Sequence, residues 1–244
     1  IFMRFATSPD HLTFFYENHF IEFENLLSDE QVSLLLNNSF DVLEKRLSIS
    51  SKELSKLSFE KRFKAGRDLW RENNQLKKMT LNSHFAEIAA SLTKERQLRL
   101  SYSQFFSRSV PEKGDYPFPF LTDNSSLNEC SSFQNIICGL ILQLSDHSLP
   151  VHTQREDEDE NDQKPLSILP ERAGNGIFFL PNTPLSFEPF FTPPFCHQLL
   201  IVYSKEPSIY RFEKKDPNTH FLKKIGCGFG DRLEDSTHPN IFKN

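Results

Sequence analysis

The feature that most restricts the fold is a set of strongly apolar segments in the second half of the chain. The run QNIICGLILQL is continuously apolar, and GIFFL and QLLIVYS repeat the pattern. Short apolar runs bounded by turn residues are typical of buried strands. The segment QLRLSYSQFFSRS alternates instead, and places Leu98, Leu100, Tyr102 and Phe105 on one approximate face. Prolines cluster between these segments and confine the intervening stretches to loops and sheet edges.

The first hundred residues are dominated by helical patterns. YENHFIEFENLL suits a short strand, and Ser28 with Gln31 three residues later then forms a capping-box signature at a helix start. The apolar positions that follow recur at helical spacing: Val32, Leu35, Leu36, Phe40, Leu43 and Leu47. Further helices are predicted over residues 67–78 and 83–93. We expect one α+β domain, 1–244, with a mainly helical layer at 1–97 and mainly strands at 98–244.

Composition excludes several classes of function. The net charge of -5 argues against a general nucleic-acid binder, which needs clustered Lys and Arg. The longest apolar runs are too short to cross a bilayer, so no membrane insertion is expected. Cys130, Cys138, Cys196 and Cys227 form no CxxC pair and are predicted to be small core residues of a reducing compartment. The start, IFMRF, is too short for a signal peptide. We therefore expect a cytoplasmic protein.

The segment from Gln154 to Pro165 is strongly acidic and has almost no apolar residue. This composition predicts a disordered surface insertion. A cation-binding role is the alternative, but the segment lacks the glycine and ligand spacing of an EF-hand loop.

Motifs that would indicate a particular chemistry are absent. The sequence contains no GxxxxGK[ST], HExxH or GxSxG, and GCGFG at 226–230 is interpreted as a tight C-terminal turn. Non-haem iron oxygenases use two imidazoles and one carboxylate, usually encoded as His-x-Asp or His-x-Glu because alternate strand residues share a face. None of the eight histidines is followed two positions later by Asp or Glu. The usual iron-site pattern is therefore missing.

Three segments nevertheless resemble a known family. FYENHFIEFENLLSDEQVSLLLNN is similar to the opening of the phytanoyl-CoA dioxygenase family, where a short strand precedes a helix introduced by Leu-Ser-x-Glu. RDLWRENNQLKKMTLNSHFAEIAASLTKERQLRLSYSQFF resembles its next segment, a helix pair feeding a strand. The tail KKDPNTHFLKKIGCGFGDRLEDSTHP resembles that of some bacterial members, with uncharacterised chlamydial proteins nearest in character. The resemblance implies a double-stranded β-helix (jelly-roll, cupin-like) barrel of the Fe(II)/2-oxoglutarate oxygenase superfamily.

The family's metal positions are where this sequence differs. The resemblance places the His-x-Asp strand within 111–135, where Asp115 and Asp123 are the only aspartates and neither follows a histidine by two residues. The segment GNGIFFLPNTPL corresponds to the strand that carries the distal histidine. Leu185, or alternatively Leu180, falls at the position of that imidazole.

The cosubstrate position differs as well. The arginine that anchors the 2-oxoglutarate carboxylate follows on the next strand of the family. His197 and Gln198 are the candidates there, and neither supplies the bidentate fork of an arginine. The resemblance thus implies a barrel that has lost its standard site.

Three interpretations remain open. The first is a non-catalytic binding or interaction module that needs no cofactor and whose partner is an unknown protein or a small apolar ligand. The second is an active non-haem iron oxygenase or hydroxylase, which alone would need Fe(II) and 2-oxoglutarate. Its ligands would come from Asp115, Asp123, His147, His152 and His197. The third is a metal-free binder of an apolar small molecule.

The third interpretation uses aromatic side chains of the barrel. Tyr102, Phe106, Phe178 and Phe179 would line its pocket. The alternative is that these rings simply fill the barrel.

Overall fold

The computed structural model describes residues 7–107, 125–146, 166–167, 170, 172–186 and 196–243. The predicted acidic insertion lies outside these residues. Four candidate metal ligands also lie outside them: Asp115, Asp123, His147 and His152.

Helices occupy most of the first 93 residues. They are α1 (Pro9–Asn18), α2 (Asp29–Leu47), α3 (Ser51–Leu54), α4 (Phe59–Ala65), α5 (Asn74–Thr80) and α6 (Ser83–Thr93), followed later by α7 (Leu127–Cys130). Two 3-10 helices cover Leu69–Arg71 and Phe221–Ile225. The predicted helix at 83–93 is confirmed, whereas the sequence analysis did not identify α1.

The start of α2 confirms the capping box. The backbone N–H of Gln31 donates to Ser28 Oγ (3.3 Å), and the N–H of Ser28 donates to Gln31 Oε1 (2.9 Å). These two bonds satisfy backbone donors that a helix start would otherwise leave without acceptors. Ser28 therefore fixes where the longest helix begins.

The predicted helix over 67–78 is wrong, because the segment is divided. The side chain of Asn73 accepts the N–H groups of Gln75 and Leu76 and starts α5 there. Before it, Arg67 forms an isolated antiparallel bridge with Gln104, the N–H of Asp68 donates to the carbonyl of Ser103 (2.9 Å), and Leu69–Arg71 forms a 3-10 helix. Asp68 itself is left-handed, with φ 52°. Pairing with the sheet overrides the local helical preference.

Six strands form one antiparallel sheet in the order β1-β5-β3-β7-β2-β8. They are β1 (Phe20–Phe23), β2 (Gln97–Ser107), β3 (Ile136–Gln143), β5 (Gly176–Phe179), β7 (His197–Ser204) and β8 (Asn240–Lys243). The strands predicted from the apolar runs are confirmed. A short parallel pair, β4 (Leu166–Ser167) with β6 (Leu185–Ser186), forms the second sheet among the described residues.

The sheet separates two apolar cores. Alternate residues of a strand point to opposite faces, and Leu140 and Leu142 of β3 pack with α2 and α6, whereas Ile141 belongs to the other core. On β7, Leu199 and Leu200 divide in the same way. We call the face under the helices the outer face, and the face toward β6 and the C-terminal segment the inner face.

One prediction about these faces is wrong. Leu98, Leu100 and Phe105 pack on the outer face, but Tyr102 belongs to the inner core. The register of β2 against β7 shifts between Leu100 and Tyr102. A bulge inserts one extra residue and reverses the alternation that the sequence suggests.

The architecture is a mixed one, with a helical layer on a six-stranded antiparallel sheet. Cys130, Cys138 and Cys196 are buried, as predicted, whereas Cys227 is half-buried, and none of these four described side chains is in a disulfide. Among the described residues, no helix has the length and apolar character needed to cross a membrane.

Candidate functional site

The sheet divides the predicted pocket residues between its two faces. Tyr102 and Phe106 are buried on the inner face, together with Phe179. Phe178 is fully buried on the outer face, where its ring meets that of Phe23 edge-to-face at 5.8 Å. Leu180 is half-buried and packs against the outer core. The four aromatic rings therefore do not line one pocket.

Two glutamines occupy the inner face where β3 and β7 pair. Gln143 and Gln198 are opposite each other in the register, and both are fully buried. Nε2 of Gln198 donates to Oε1 of Gln143 (2.9 Å), and Nε2 of Gln143 donates to the carbonyl of Ser145 (2.7 Å). The position that the resemblance assigns to a cosubstrate arginine thus carries a neutral amide pair.

Leu185 lies on the inner side of the molecule. Its side chain is 1% exposed within the inner core, and its backbone N–H donates to the carbonyl of Ser125 (3.1 Å). An isobutyl group offers no electron pair to a metal. The position assigned to the distal histidine is therefore part of the hydrophobic core.

His197 faces the helical layer. Its ring contacts Phe40 edge-to-face at 5.2 Å and lies near Phe105 at 6.4 Å. Burial lowers the pKa of His197 to about 4, and the nearby Arg62 guanidinium adds to the effect. The imidazole is therefore neutral near pH 7 and lies away from the glutamine pair.

A cavity of about 310 Å³ opens beside His197, between the helical layer and the start of β7. Its described lining comprises Phe40, Glu44, Ser51, Leu54, Ser55, Arg62 and His197. Phe40 and Leu54 give it an apolar wall, while the remaining side chains supply hydrogen-bonding groups. This combination is typical of small-molecule sites. Periodicity alone could not have indicated it, because its walls come from separate elements.

A buried ion pair crosses the inner side of the fold. Arg67 Nη2 donates to Asp216 Oδ1 (2.9 Å), and the two side chains are 2% and 1% exposed. Arg67 Nε donates to Gln104 Oε1 (3.1 Å), and the guanidinium lies 4.0 Å from the ring centroid of Tyr102. Burial raises the pKa of Tyr102, whose hydroxyl is hydrogen-bonded to Ser131 Oγ (2.8 Å). No pattern in the sequence indicated this network, and its paired charges connect distant parts of the chain.

A fully buried histidine, His238, lies in a polar network. Its Nε2 is 3.1 Å from Arg71 Nη2, and its Nδ1 is 2.9 Å from Thr237 Oγ1. Burial lowers its pKa to about 4. No carboxylate is hydrogen-bonded to its imidazole among the described residues.

The fit of an iron site can be tested on the described residues. In this part of the chain, no group of three His, Cys, Asp or Glu side chains is placed to hold a metal ion. Leu185, Gln143 and Gln198 occupy the inner positions considered above. The described residues therefore do not fit Fe(II) with 2-oxoglutarate.

Proteins similar to this chain are found among solved structures. No family model matches the chain, and no curated protein matches it. Among solved structures, the non-haem α-ketoglutarate-dependent epimerase SnoN from nogalamycin biosynthesis has a TM-score of 0.65 and 14% identity, covering 95% of this chain and 97% of its own. The α-ketoglutarate-dependent carbocyclase SnoK from the same biosynthesis has a TM-score of 0.59 and 16% identity, covering 96% of each chain.

Two further structures are similar to a lower degree. The non-haem monooxygenase ThoJ has a TM-score of 0.52 and 13% identity, covering 82% of this chain and 78% of its own. CT296 from Chlamydia trachomatis has a TM-score of 0.49 and 15% identity, a score too low to bear on the fold. The chain thus has the fold of non-haem iron, 2-oxoglutarate-type enzymes. The identities are too low to transfer an activity.

Proposed function

We propose that this protein is a non-catalytic binding module with the oxygenase fold. The observation that carries the proposal is the buried amide pair of Gln143 and Gln198 on the inner face. Each amide is engaged with the other or with backbone, and neither is charged. A dicarboxylate cosubstrate needs a cation with two parallel donors to offset its desolvation, and an amide pair does not replace this.

The presence of Leu185 at the position that the resemblance assigns to the distal histidine supports the same proposal. A metal ion in that part of the fold would lack one ligand and would contact the buried side chain of Leu185 instead. Losing one ligand can be compensated by a neighbour. Losing the arginine position as well favours the loss of the chemistry while the fold is retained.

The ligand site that we favour is the cavity beside His197. Tyr102, Phe106 and Phe179 are buried within the inner core, which supports the view that these rings fill the fold. The cavity, in contrast, offers about 310 Å³ between Phe40 and Leu54. It suits a small, largely apolar molecule that carries a hydrogen-bonding group.

A metal-binding assay tests the loss of chemistry. Purified protein is incubated with Fe(II), 2-oxoglutarate and oxygen, and bound metal and succinate are measured. We expect no retained metal and no succinate. Stoichiometric metal with succinate formation would overturn the proposal. A variant lacking Asp115, Asp123, His147 and His152 would then identify whether those four side chains are the ligands.

A blocked-cavity variant tests the ligand site. Ser55→Trp places a large ring in the lining of the cavity, whereas Ser33→Trp places the same ring on the exposed side of α2 and is the control. We expect apolar small molecules to raise the melting temperature of the unsubstituted protein and of the Ser33→Trp variant. The Ser55→Trp variant should lose this shift. Equal shifts in all three proteins would exclude the cavity as the site.

The proposal also includes a family branch and a cellular location. Membership of the phytanoyl-CoA dioxygenase-like branch is supported by the segment resemblances, and a cytoplasmic location is supported by the thiols that form no disulfide. A protein partner is the remaining class of ligand. Affinity for such a partner should survive the Ser55→Trp substitution if its surface lies elsewhere.

A further inference from the structure

The C-terminal segment exposes an unusual concentration of large apolar side chains. Phe212, Ile225 and Phe229 are 56%, 42% and 38% exposed. The only other large apolar side chains exposed to this degree among the described residues are Phe14 and Tyr16, on α1. Exposed apolar side chains that cluster, rather than scatter, mark interaction surfaces. We call the surface formed by these residues the C-terminal aromatic surface. It comprises Phe212, His220, Ile225 and Phe229, with Lys223 and Lys224.

The rings of this surface form one cluster. The centroid of Phe229 is 5.6 Å from that of Phe212 and 5.7 Å from that of His220, while Phe212 and His220 are 5.9 Å apart. Tyr210 lies beneath Phe229, with centroids 4.8 Å apart, and is itself buried. The cluster is therefore attached firmly to the inner core and held at the surface.

The turn that presents Phe229 is packed on Tyr210 on one side and exposed on the other. It is the GCGFG motif, in which Gly226 and Gly230 have φ of 91° and 96°. A Cβ added at either glycine would meet no atom within 4 Å. Left-handed backbone at both glycines allows the tight turn, and the open space at both positions shows that this side of the turn faces solvent. The exposed Phe229 is thus part of a solvent-facing turn.

Basic side chains surround the exposed rings. Residues 211–230 contain five Lys or Arg and two acids, and the exposed Asp231 follows, with its carboxylate accepting the N–H of Gly228 (2.6 Å); the whole chain has a net charge of -5. Both acids are in ion pairs, Glu213 with Arg211 at 3.7 Å and Asp216 with the buried Arg67. Lys223 Nζ lies 4.2 Å from the centroid of Phe229. The surface thus combines exposed apolar groups with an excess of basic over acidic residues across 211–231.

We propose that the C-terminal aromatic surface binds anionic lipid membranes peripherally. Apolar tips flanked by lysines match the boundary of a bilayer, where rings and aliphatic groups enter below the headgroups and ammonium groups face the lipid phosphates. The exposed rings line neither the cavity beside His197 nor the one beside Pro181, which suits a flat surface rather than an extended peptide held in a groove. The site is distinct from the cavity beside His197 and does not depend on the proposed function.

Single-stranded nucleic acid is the partner that the geometry disfavours. Bases stack on free, parallel ring faces. Here the rings of Phe212, His220 and Phe229 are inclined to one another by 42–78°, and Lys223 covers a face of Phe229. Ile225 offers no stacking surface. These features fit insertion into lipid better than stacking.

Vesicle flotation tests the proposal with the complete chain. Vesicles of phosphatidylcholine with phosphatidylserine are compared with vesicles of phosphatidylcholine alone. We expect binding to the anionic vesicles that weakens as salt is added, because salt screens exposed charges. Lys223→Glu with Lys224→Glu should weaken it by about thirtyfold or more, since each lysine near an anionic surface contributes about fivefold. No binding to anionic vesicles, or equal binding to both kinds, would overturn the proposal.

Matched variants separate this surface from general effects. Lys77→Glu with Lys78→Glu reverses two adjacent exposed lysines of α5, and we expect it to retain most of the binding. Phe229→Ser should weaken binding about tenfold, whereas Phe14→Ser, at a ring 44% exposed on α1, should not. Melting curves identify any variant that is unfolded. If both lysine pairs or both Phe variants behave alike, the surface is not the site.

A fluorescent variant reports insertion directly and does not require a loss of function. The chain has one tryptophan, Trp70, which is buried. Phe229→Trp adds an exposed indole whose emission should shift to the blue on mixing with anionic vesicles. An unchanged emission would contradict insertion. Binding of a labelled oligonucleotide or acidic peptide without vesicle binding, lost in the Lys223 and Lys224 variant, would assign the surface to that partner instead.

Discussion

Arg67 shows how a single charge is accommodated inside this fold. Its guanidinium contacts the carboxylate of Asp216, the amide of Gln104 and the ring of Tyr102, and it is 2% exposed. Asp216 also accepts the backbone N–H of Asn218 (2.9 Å). Because both charges are desolvated, each depends on the other. The pair connects the helical part of the chain to the C-terminal segment.

Removing one charge of this pair should lower the free energy of unfolding. Asp216→Asn leaves Arg67 buried with a neutral amide, and we expect the free energy of unfolding to fall by about 3–5 kcal/mol. Glu60→Gln is the control, because the Glu60–Lys64 pair is half exposed and contributes at most about 1 kcal/mol. Urea unfolding measures both. A loss at Asp216 no larger than that at Glu60 would contradict the ion pair.

The backbone at Gly139 is in close contact with the side chains of two neighbouring residues. A Cβ at this position of β3 would lie 2.3 Å from Phe179 Cζ and 2.9 Å from Leu127 Cδ1. Both neighbouring side chains are fully buried in the inner core. No space is available for a methyl group.

Gly139→Ala should therefore destabilise the protein by about 1–3 kcal/mol through overpacking. Gly228→Ala is the control, since its nearest contact would be an ordinary 3.4 Å to Asp231 Oδ2. The control should leave the stability unchanged or raise it slightly. Thermal melting of the two variants checks the difference, and equal melting temperatures would count against the close contact.

At the scale of elements, α2 is defined by its ends and by one face. Ser28 and Gln31 close its N-terminus, and Leu35 and Leu43 are fully buried in the outer core. Acids lie in its first turn, and Lys45 and Arg46 lie in its last, which complements the helix dipole. Local sequence and tertiary packing agree here, and the helix was predicted correctly.

Ser28→Ala should lower the free energy of unfolding by about 1 kcal/mol, because the N–H of Gln31 loses its acceptor. Ser33→Ala makes the same chemical change at an exposed position within the helix and should be neutral or slightly stabilising. Chemical unfolding of the two variants gives the comparison. A Ser28 variant as stable as the Ser33 variant would show that the cap contributes nothing.

At the scale of the whole molecule, the half-buried His197 and the fully buried His238 both lie where protonation is disfavoured. Burial lowers the pKa of His197 and of His238 to about 4. In an unfolded chain the pKa of histidine is about 6.5. Between these values the unfolded chain binds protons that the folded protein does not. Stability therefore falls as the pH is lowered from about 6.5 to about 4.

Each histidine contributes at most about 3 kcal/mol to this loss. His197→Phe removes one titrating group and keeps an aromatic ring beside Phe40, and His238→Gln removes the other. Urea unfolding between pH 7 and pH 4 should show a shallower decline in each variant and the shallowest in the double variant. Identical slopes in all four proteins would exclude the two histidines as the cause.

Most of the elements that build the sheet could be predicted from the sequence, whereas little of the candidate site could. Apolar runs identified β3, β5 and β7, because burial requires apolar side chains along the whole strand. The cavity beside His197 was not foreseen, since Phe40, Leu54 and Arg62 come from three separate helices. Its formation depends on how those helices pack, which no local pattern encodes.

What the sequence determined by itself is local: the capped start of α2, the helix at 83–93, the buried strands, and the lack of any His-x-Asp or His-x-Glu pair. The tertiary structure decided which face each side chain occupies. A bulge after Leu100 moved Tyr102 to the inner face, and the pairing of β7 directed His197 outward and Gln198 inward. Arg67 and Asp216 meet although 149 positions separate them. Periodicity depends on neighbours in the chain, whereas register and ion pairing depend on partners that only folding brings together.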